Sequence, residues 1–416
     1  MRIAVFTDSF LPYVCGATFA ALNQVNALAR QGHQVRIYCP GSTHDRPHTS
    51  ETDELHESVT VQTVPFSLPW GGQPNLNIVF PVLWPTMKDL RRFKPDAIHV
   101  HTEWGTGWAG VFAAWRLKIP VVGTFHTFWD DPRYVHHFPW PNWKIIQRAM
   151  GRYSAFFYRR CAMTIAPSRS VQTHLEAKGV ETVVISNGMT KPVPNSPEAI
   201  RALRQKYGLT DAPTFLYLGR VSFEKSLPVC LLAFKELLST HPQARFVLIG
   251  DGPEMPALKG MIRAMEMESQ VVLTGAVPHE ELMGQGLPQL GDVFITASET
   301  ENQPVSILES MAFGLPAIGP RARGIPELVQ DGQNGLLFDP GDGTTLTNLM
   351  RRLVDSPAER ATLAQGALAT AALHSIDRTG ERLRILYEAC IRDPATARAA
   401  LENPDPAADA ALQQSS

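Results

Sequence analysis

Residues 298–316 read Ser298-Glu299-Thr300-Glu301-Asn302-Gln303-Pro304-Val305-Ser306-Ile307-Leu308-Glu309-Ser310-Met311-Ala312-Phe313-Gly314-Leu315-Pro316, an acid- and amide-rich loop running into a short apolar helix. Before it, Asp292-Val293-Phe294-Ile295-Thr296 is an apolar, β-rich run expected to form a buried strand. Pro304 suits the first helical position, where its missing N–H costs nothing, and Gly314 suits the left-handed cap beyond the last turn. This order places Glu301 in a strand-to-helix loop and Glu309 on the helix that follows. Two acids so placed can accept hydroxyls held apart by the length of one small molecule. The unpaired N–H groups at the helix start favour an anion between them, because that end carries about half a positive charge. One acid for a sugar, one for a ribose and N–H groups for a diphosphate describe a pocket for a nucleotide-sugar. Taken alone, both acids are also at home as solvated charges near a helix start.

Reading towards the N-terminus strengthens the anion site. A strand over 214–218 is followed by Gly219-Arg220-Val221-Ser222-Phe223-Glu224-Lys225 and a helix over 227–238. Arg220 and Lys225 flank that loop, where two cations can clamp a diphosphate and stabilise charge on a leaving nucleotide. A strand over 244–249 ends in Gly250-Asp251-Gly252-Pro253, a tight turn that lets backbone approach a ligand. Further strands are expected over 271–274 and 317–319.

The first half also alternates strand and helix. A strand over 2–7, a loop over 8–16 containing Asp8, Tyr13 and Gly16, a helix over 18–30 and a strand over 34–39 make a βαβ unit, the start of a doubly wound parallel sheet. It lacks the Gly-x-Gly-x-x-Gly fingerprint of dinucleotide enzymes. A strand over 59–64, a loop over 68–77, a helix over 84–93 and strands over 95–101 and 119–124 follow. Ligands of open α/β sheets bind beyond the carboxyl ends of strands, so His101, Glu103 and His126 are expected at one crevice. His99 alternates into the sheet and reads as a satisfied core histidine. Residues 141–161 carry Lys144, Arg148, Arg152, Arg159 and Arg160 with no acid. Lys144, Arg148 and Arg152 line one helical face with Trp140 and Trp143 at the entry, the pattern of a membrane-surface helix, or of a packed helix with a wet basic face.

Together these motifs resemble the retaining glycosyltransferases of family 4, over nearly the whole chain from Met1 to about Ile391. The pair Glu301 and Glu309 resembles the family's two-glutamate signature, Gly-Arg-x-x-x-x-Lys its donor-phosphate residues, Gly16 its glycine-bearing first loop, and Gly123-Thr124-Phe125-His126-Thr127 its strand-then-histidine element. The acidic and aromatic Phe128-Trp129-Asp130-Asp131 followed by a basic helix is similar to the diacylglycerol glucosyltransferases of that family.

The resemblance implies a GT-B architecture, two Rossmann-like doubly wound domains facing across a cleft. The expected parts are an acceptor-side domain over 1–190, a nucleotide-sugar domain over 198–373, a helix over 374–392 returning to the first domain, and a tail over 393–416 with little fixed structure. It implies transfer of a hexose from a nucleoside diphosphate sugar with the α configuration retained, to a membrane glycerolipid or, alternatively, a soluble or cell-envelope glycan. His126 and Glu301 would be catalytic. Gly16, Arg220, Lys225, Gly250, Gln303, Pro304, Val305 and Glu309 would hold the donor, and Asp8, Tyr13, His101 and Glu103 would line the acceptor side. No metal and no cofactor is expected, the cations taking the metal's place. One departure stands out: the family usually has glycine where Pro304 stands and often an aromatic residue at Gln303. Proline removes one N–H from the cradle, leaving Val305 and Ser306 as donors.

The whole chain agrees with a globular enzyme. Its 416 residues suffice for two domains, with 44% hydrophobic and 19% charged residues. The net charge of −2 gives no global field for nucleic acid. No run of apolar residues is long enough to span a bilayer, and the N-terminus enters a strand pattern without the layout of a secretory signal, so a cytoplasmic protein, peripheral on the inner face of the cell membrane, is expected. Five scattered cysteines read as reduced thiols. A nucleotide-sugar epimerase or a non-catalytic nucleotide-sugar-binding protein remains as an alternative of another class; the epimerase would alter the donor with no acceptor present.

Overall fold

The computed structural model describes residues 1–11, 15–41, 55–64, 67–69, 77–79, 84–131, 143–193, 195–209 and 211–402. The chain forms two compact units, Met1–Gly188 with the chain from Ser375 onward, and Met189–His374.

In the first unit the strands are β1 (Arg2–Phe6), β2 (Gln34–Pro40), β3 (Val59–Val64), β4 (Ser67–Pro69), β5 (Asn77–Val79), β6 (Ala97–Val100), β7 (Val121–Thr124), β8 (Met163–Ala166) and β9 (Thr182–Val184). Seven of them make a parallel sheet in the order β3-β2-β1-β6-β7-β8-β9. Parallel strands covered on both faces need apolar side chains throughout, and β1, β6, β7 and β8 are buried almost end to end. Helices Gly16–Arg30 and Ile376–Arg392 cover one face, burying Leu22, Val25 and Leu28 with Leu383, Leu386 and Tyr387. Helices Gly105–Leu117 and Trp143–Tyr158 belong to the other, with Phe6 stacked on Tyr38 beneath them at 4.7 Å. Each large apolar side chain fully buried this way contributes about 1.5–3 kcal/mol.

In the second unit β10 (Thr214–Leu218), β11 (Arg245–Ile249), β12 (Val271–Gly275), β13 (Val293–Ile295), β14 (Ala317–Pro320) and β15 (Gly335–Phe338) form a parallel sheet ordered β12-β11-β10-β13-β14-β15. In both sheets the strand order reverses beside the first strand, between β1 and β6 and between β10 and β13. That reversal opens a crevice at the carboxyl ends of the strands.

Several expectations change. Residues 67–69 and 77–79, within and beside the expected loop, pair as an antiparallel ribbon. The stretch between the two expected domains runs into a helix, Pro197–Lys206, because Ser196 caps it by accepting from the Ala199 N–H at 3.2 Å and Pro197 fits its first turn. The helix expected over 374–392 is Ile376–Arg392, started by a Ser375 cap, and a separate helix, Pro357–Leu373, precedes it. The tail is ordered further than expected: Ala397–Glu402 is helical because Ala397 and Leu401 bury themselves on the first unit's core. Residues 403–416 lie outside the described residues, as do Tyr13 and Trp140.

Candidate active site

The crevice between β10 and β13 collects the charged residues of the second unit. After β10 the chain passes Arg220, makes a short 3-10 turn over Phe223–Lys225, and enters helix Leu227–Leu238 through Ser226. Ser226 takes a left-handed φ of 52°, a costly conformation for a residue with a side chain, which turns the chain sharply behind Lys225. The Tyr217 hydroxyl donates to the Arg220 carbonyl at 3.0 Å and holds the strand end in place. After β13 the chain runs through buried Ser298 to Glu301. There Lys225 Nζ donates to Glu301 Oε1 at 2.5 Å, in an ion pair whose side chains are only 24% and 17% exposed. Burial pushes the Glu301 pKa up, but the Lys225 charge and the hydrogen bonds from Lys225 and Ser298 outweigh it and leave the carboxyl below its usual range. The Glu301 carbonyl also accepts from the Gly324 N–H at 3.0 Å.

Helix Val305–Ala312 begins one residue later than the sequence suggests. Pro304 is its N-cap, with φ −69° and ψ 114°, and Gly314 takes the left-handed conformation past its end as expected. The Pro304 carbonyl accepts from the Ile307 N–H at 3.2 Å. Proline therefore sits outside the helix, where its missing N–H removes nothing, and the first-turn donors begin with Val305 and Ser306. Gln303, Pro304 and Val305 are all buried. Glu309 is buried as well, and its Oε1 is held by His279 Nε2 at 2.7 Å. His279 escaped the sequence reading. It opens the short helix after β12, so the same rule of strand carboxyl ends would have found it. Gly250, at the end of β11, has φ 144°, and a Cβ there would lie 1.9 Å from the Gly219 carbonyl oxygen. Two strand ends touch through their backbones at that point, which explains the glycine from within the chain.

In the first unit the equivalent crevice, between β1 and β6, is closed. Asp8 Oδ2 accepts from the Thr102 hydroxyl at 2.5 Å, and Oδ1 accepts from the Thr106 N–H at 3.0 Å, at the start of helix Gly105–Leu117. Burial raises its pKa, and those hydrogen bonds oppose the rise. Glu103 is turned under helix Trp143–Tyr158, where it accepts from the Ser154 hydroxyl at 2.8 Å and the Tyr158 hydroxyl at 3.2 Å. Burial lifts its pKa to about 7. Glu103 therefore anchors that helix and does not join His101 and His126. Those two do meet: His101 Nδ1 and His126 Nε2 share a proton at 3.0 Å with their rings stacked at 5.3 Å. Burial lowers both, His126 to about 4, so both imidazoles are neutral near pH 7. His99 is the satisfied core residue expected, bonded to Thr124 Oγ1 and the Tyr387 hydroxyl, each at 2.7 Å. Gly16 is the first residue of its helix, and a Cβ there would meet nothing within 4 Å. Lys144, Arg148 and Arg152 are all exposed on helix Trp143–Tyr158.

Comparisons with known proteins give the family and the fold. Residues 14–190 match the family model described as "Glycosyltransferase Family 4", and residues 199–369 match "Glycosyl transferases group 1". The chain is 29% identical to an alpha-monoglucosyldiacylglycerol synthase of Acholeplasma laidlawii, over 82% of this chain and 86% of that protein. It is 30% identical to the enzyme of the same name from Streptococcus pneumoniae, over 81% of this chain and 75% of that protein. Among solved structures it is similar to Anabaena Alr3699/HepE in complex with UDP-glucose, with a TM-score of 0.73 and 22% identity over 92% of this chain and 98% of that one. That likeness gives the fold, two Rossmann-like domains of the GT-B type. The chain belongs to glycosyltransferase family 4.

Proposed function

We propose that this protein transfers a hexose from a nucleoside diphosphate sugar, UDP-glucose being the first candidate, to the hydroxyl of a diacylglycerol-type lipid, with the α configuration retained. The observation that carries the donor half is the Lys225–Glu301 ion pair in the β10/β13 crevice, followed by Glu309 on the next helix. A diphosphate competes with Glu301 for Lys225. Once Lys225 turns to the phosphates, Glu301 is released to accept sugar hydroxyls, and Val305 and Ser306 offer N–H groups to the anion. Glu309 exchanges His279 for the ribose. As the bond from the sugar C1 to the diphosphate breaks, negative charge builds on the leaving group, and Arg220 and Lys225 neutralise it without a metal. His126, in the first unit, keeps an uncharged imidazole, the form that can meet developing positive charge on a sugar without repelling it. The lipid half rests on the names of the two relatives, both glucosyldiacylglycerol synthases, and on the exposed cations of helix Trp143–Tyr158. On this reading the protein works at the cytoplasmic face of a membrane.

The test is direct. Purified protein with UDP-glucose or GDP-mannose and dispersed diacylglycerol is expected to yield a lipid carrying one hexose, α-linked by proton NMR, with activity unchanged by a chelator. A β-linked product, or activity abolished by chelation and restored by a divalent ion, would reject the corresponding part. Conversion of the donor to another hexose with no acceptor present would favour an epimerase.

A further inference from the structure

We propose that helices Gly105–Leu117 and Trp143–Tyr158 together form the face that docks on an anionic lipid bilayer, with Phe112 and Trp115 as its inserting residues. The proposal rests on the lipid-acceptor reading above and names the surface it would use. Trp115 is 71% exposed and Phe112 42%, and their rings touch each other at 5.5 Å. Ile145 and Phe156 are exposed in the same way on the neighbouring helix. Burial would favour every one of these side chains, and the fold leaves all four in water.

The two helices form one continuous surface. Trp108 Nε1 donates to the Tyr153 hydroxyl at 2.9 Å, and the Trp108 ring lies 5.9 Å from Phe156 and 5.1 Å from Phe157. Trp108, Phe112 and Trp115 follow at spacings of four and three, so they run down one side of their helix. Lys144, Arg148, Arg152 and Phe156 do the same on the other helix, continuing to Arg160 just past its end, and all five are exposed. The Arg160 guanidinium lies 3.5 Å above the Phe156 ring, a cation against an aromatic face as at a membrane–water interface.

Charge selects the occupant. The chain as a whole carries −2, yet neither 104–129 nor 143–160 contains an acid. The acids that border these segments are engaged elsewhere: Glu103 lies buried under the helix, and Asp130 pairs with Lys178 and His174. A second copy of the chain would bring like charge against like, whereas an anionic bilayer accepts both the cations and the aromatic side chains. The helix of 16 residues is about 24 Å long, too short to span a hydrocarbon core of about 30 Å, so it lies along the surface.

The experiment is flotation of the full chain with vesicles of phosphatidylcholine alone or mixed with phosphatidylglycerol. The wild type is compared with Phe112→Ser/Trp115→Ser and with Arg148→Glu/Arg152→Glu, each checked for an unchanged thermal melt. Wild type is expected to float only with the anionic vesicles. Both variants are expected to lose binding by about tenfold or more, the equivalent of two cations or two inserted rings. Transfer to detergent-dispersed diacylglycerol is expected to be unchanged in both, which separates docking from chemistry. Wild type that does not float, or a Phe112→Ser/Trp115→Ser variant that floats as wild type does, would overturn the proposal. So would a wild-type dimer that this variant dissociates, since the patch would then be a protein interface. Vesicle binding without transfer to any lipid would sink the lipid-acceptor reading and leave the docking surface standing.

Discussion

The two sheets reverse strand order at equivalent places and fill the resulting crevices in opposite ways. Between β1 and β6, Asp8 is consumed by Thr102 and by the N–H of Thr106, all of them buried. Between β10 and β13, Lys225 and Glu301 pair charge with charge, and solvent still reaches both. A carboxylate satisfied by neighbouring backbone and hydroxyl groups is a fixed part of the fold. An ion pair open to water is poised to exchange partners, because a diphosphate offers the lysine more charge than a carboxylate does. One topology therefore yields a structural lock in the first unit and, on the proposed reading, the donor site in the second. The first unit's histidine pair lies one strand along, at His126 after β7.

This contrast can be broken at each end. Lys225→Ala is expected to lower kcat/KM by about 10²–10³-fold, the scale for losing a group that stabilises developing charge. Glu301→Gln should fall in the same range, with some loss of thermal stability as well, since the pair is largely buried and the change leaves the Lys225 charge without its counter-ion. Glu309→Ala should act mainly on donor KM. If Asp8→Asn matched these catalytic losses while leaving stability untouched, the lock-and-site distinction would be gone.

The next effect belongs to Glu103. Its pKa is raised by burial to about 7, so the folded state holds a proton that the unfolded chain releases above about 4.5. Stability should therefore fall as pH rises from about 4.5 through about 7, by a total on the order of 3 kcal/mol. Urea unfolding across that range, with Glu103→Gln lacking the slope, checks the sign. Tyr387→Phe would leave His99 Nδ1 buried without its partner and should cost about 1–3 kcal/mol, read from the same unfolding curves. The smallest expected change is His279→Gln, which loosens Glu309 and should alter donor KM by only a few-fold, with kcat preserved.

Both parallel sheets were legible in the sequence because their strands are continuous apolar runs bounded by glycine and proline, and the rule of strand carboxyl ends led from them to His126, Glu301 and Lys225. Three things were not. Strand β15, Gly335–Phe338, is four residues of ordinary apolar character, too short to separate from a helix fragment by pattern. Glu103 sits at a strand end like His101, and only tertiary packing shows that its carboxylate turns under helix Trp143–Tyr158. Nothing in the sequence marks Trp115 and Phe112 as exposed, since aromatic side chains at helical spacing are normally core; exposure is a property of what fails to cover them.

The most direct measurement is calorimetric titration of the protein with UDP-glucose and GDP-mannose, alongside Lys225→Ala and Glu309→Ala. One donor should bind one-to-one and release heat, with affinity weakened at least about tenfold in each variant, which is about 1.4 kcal/mol or more. If neither nucleotide-sugar bound the wild type, or if the two variants bound it as tightly, the β10/β13 crevice would not be the donor site.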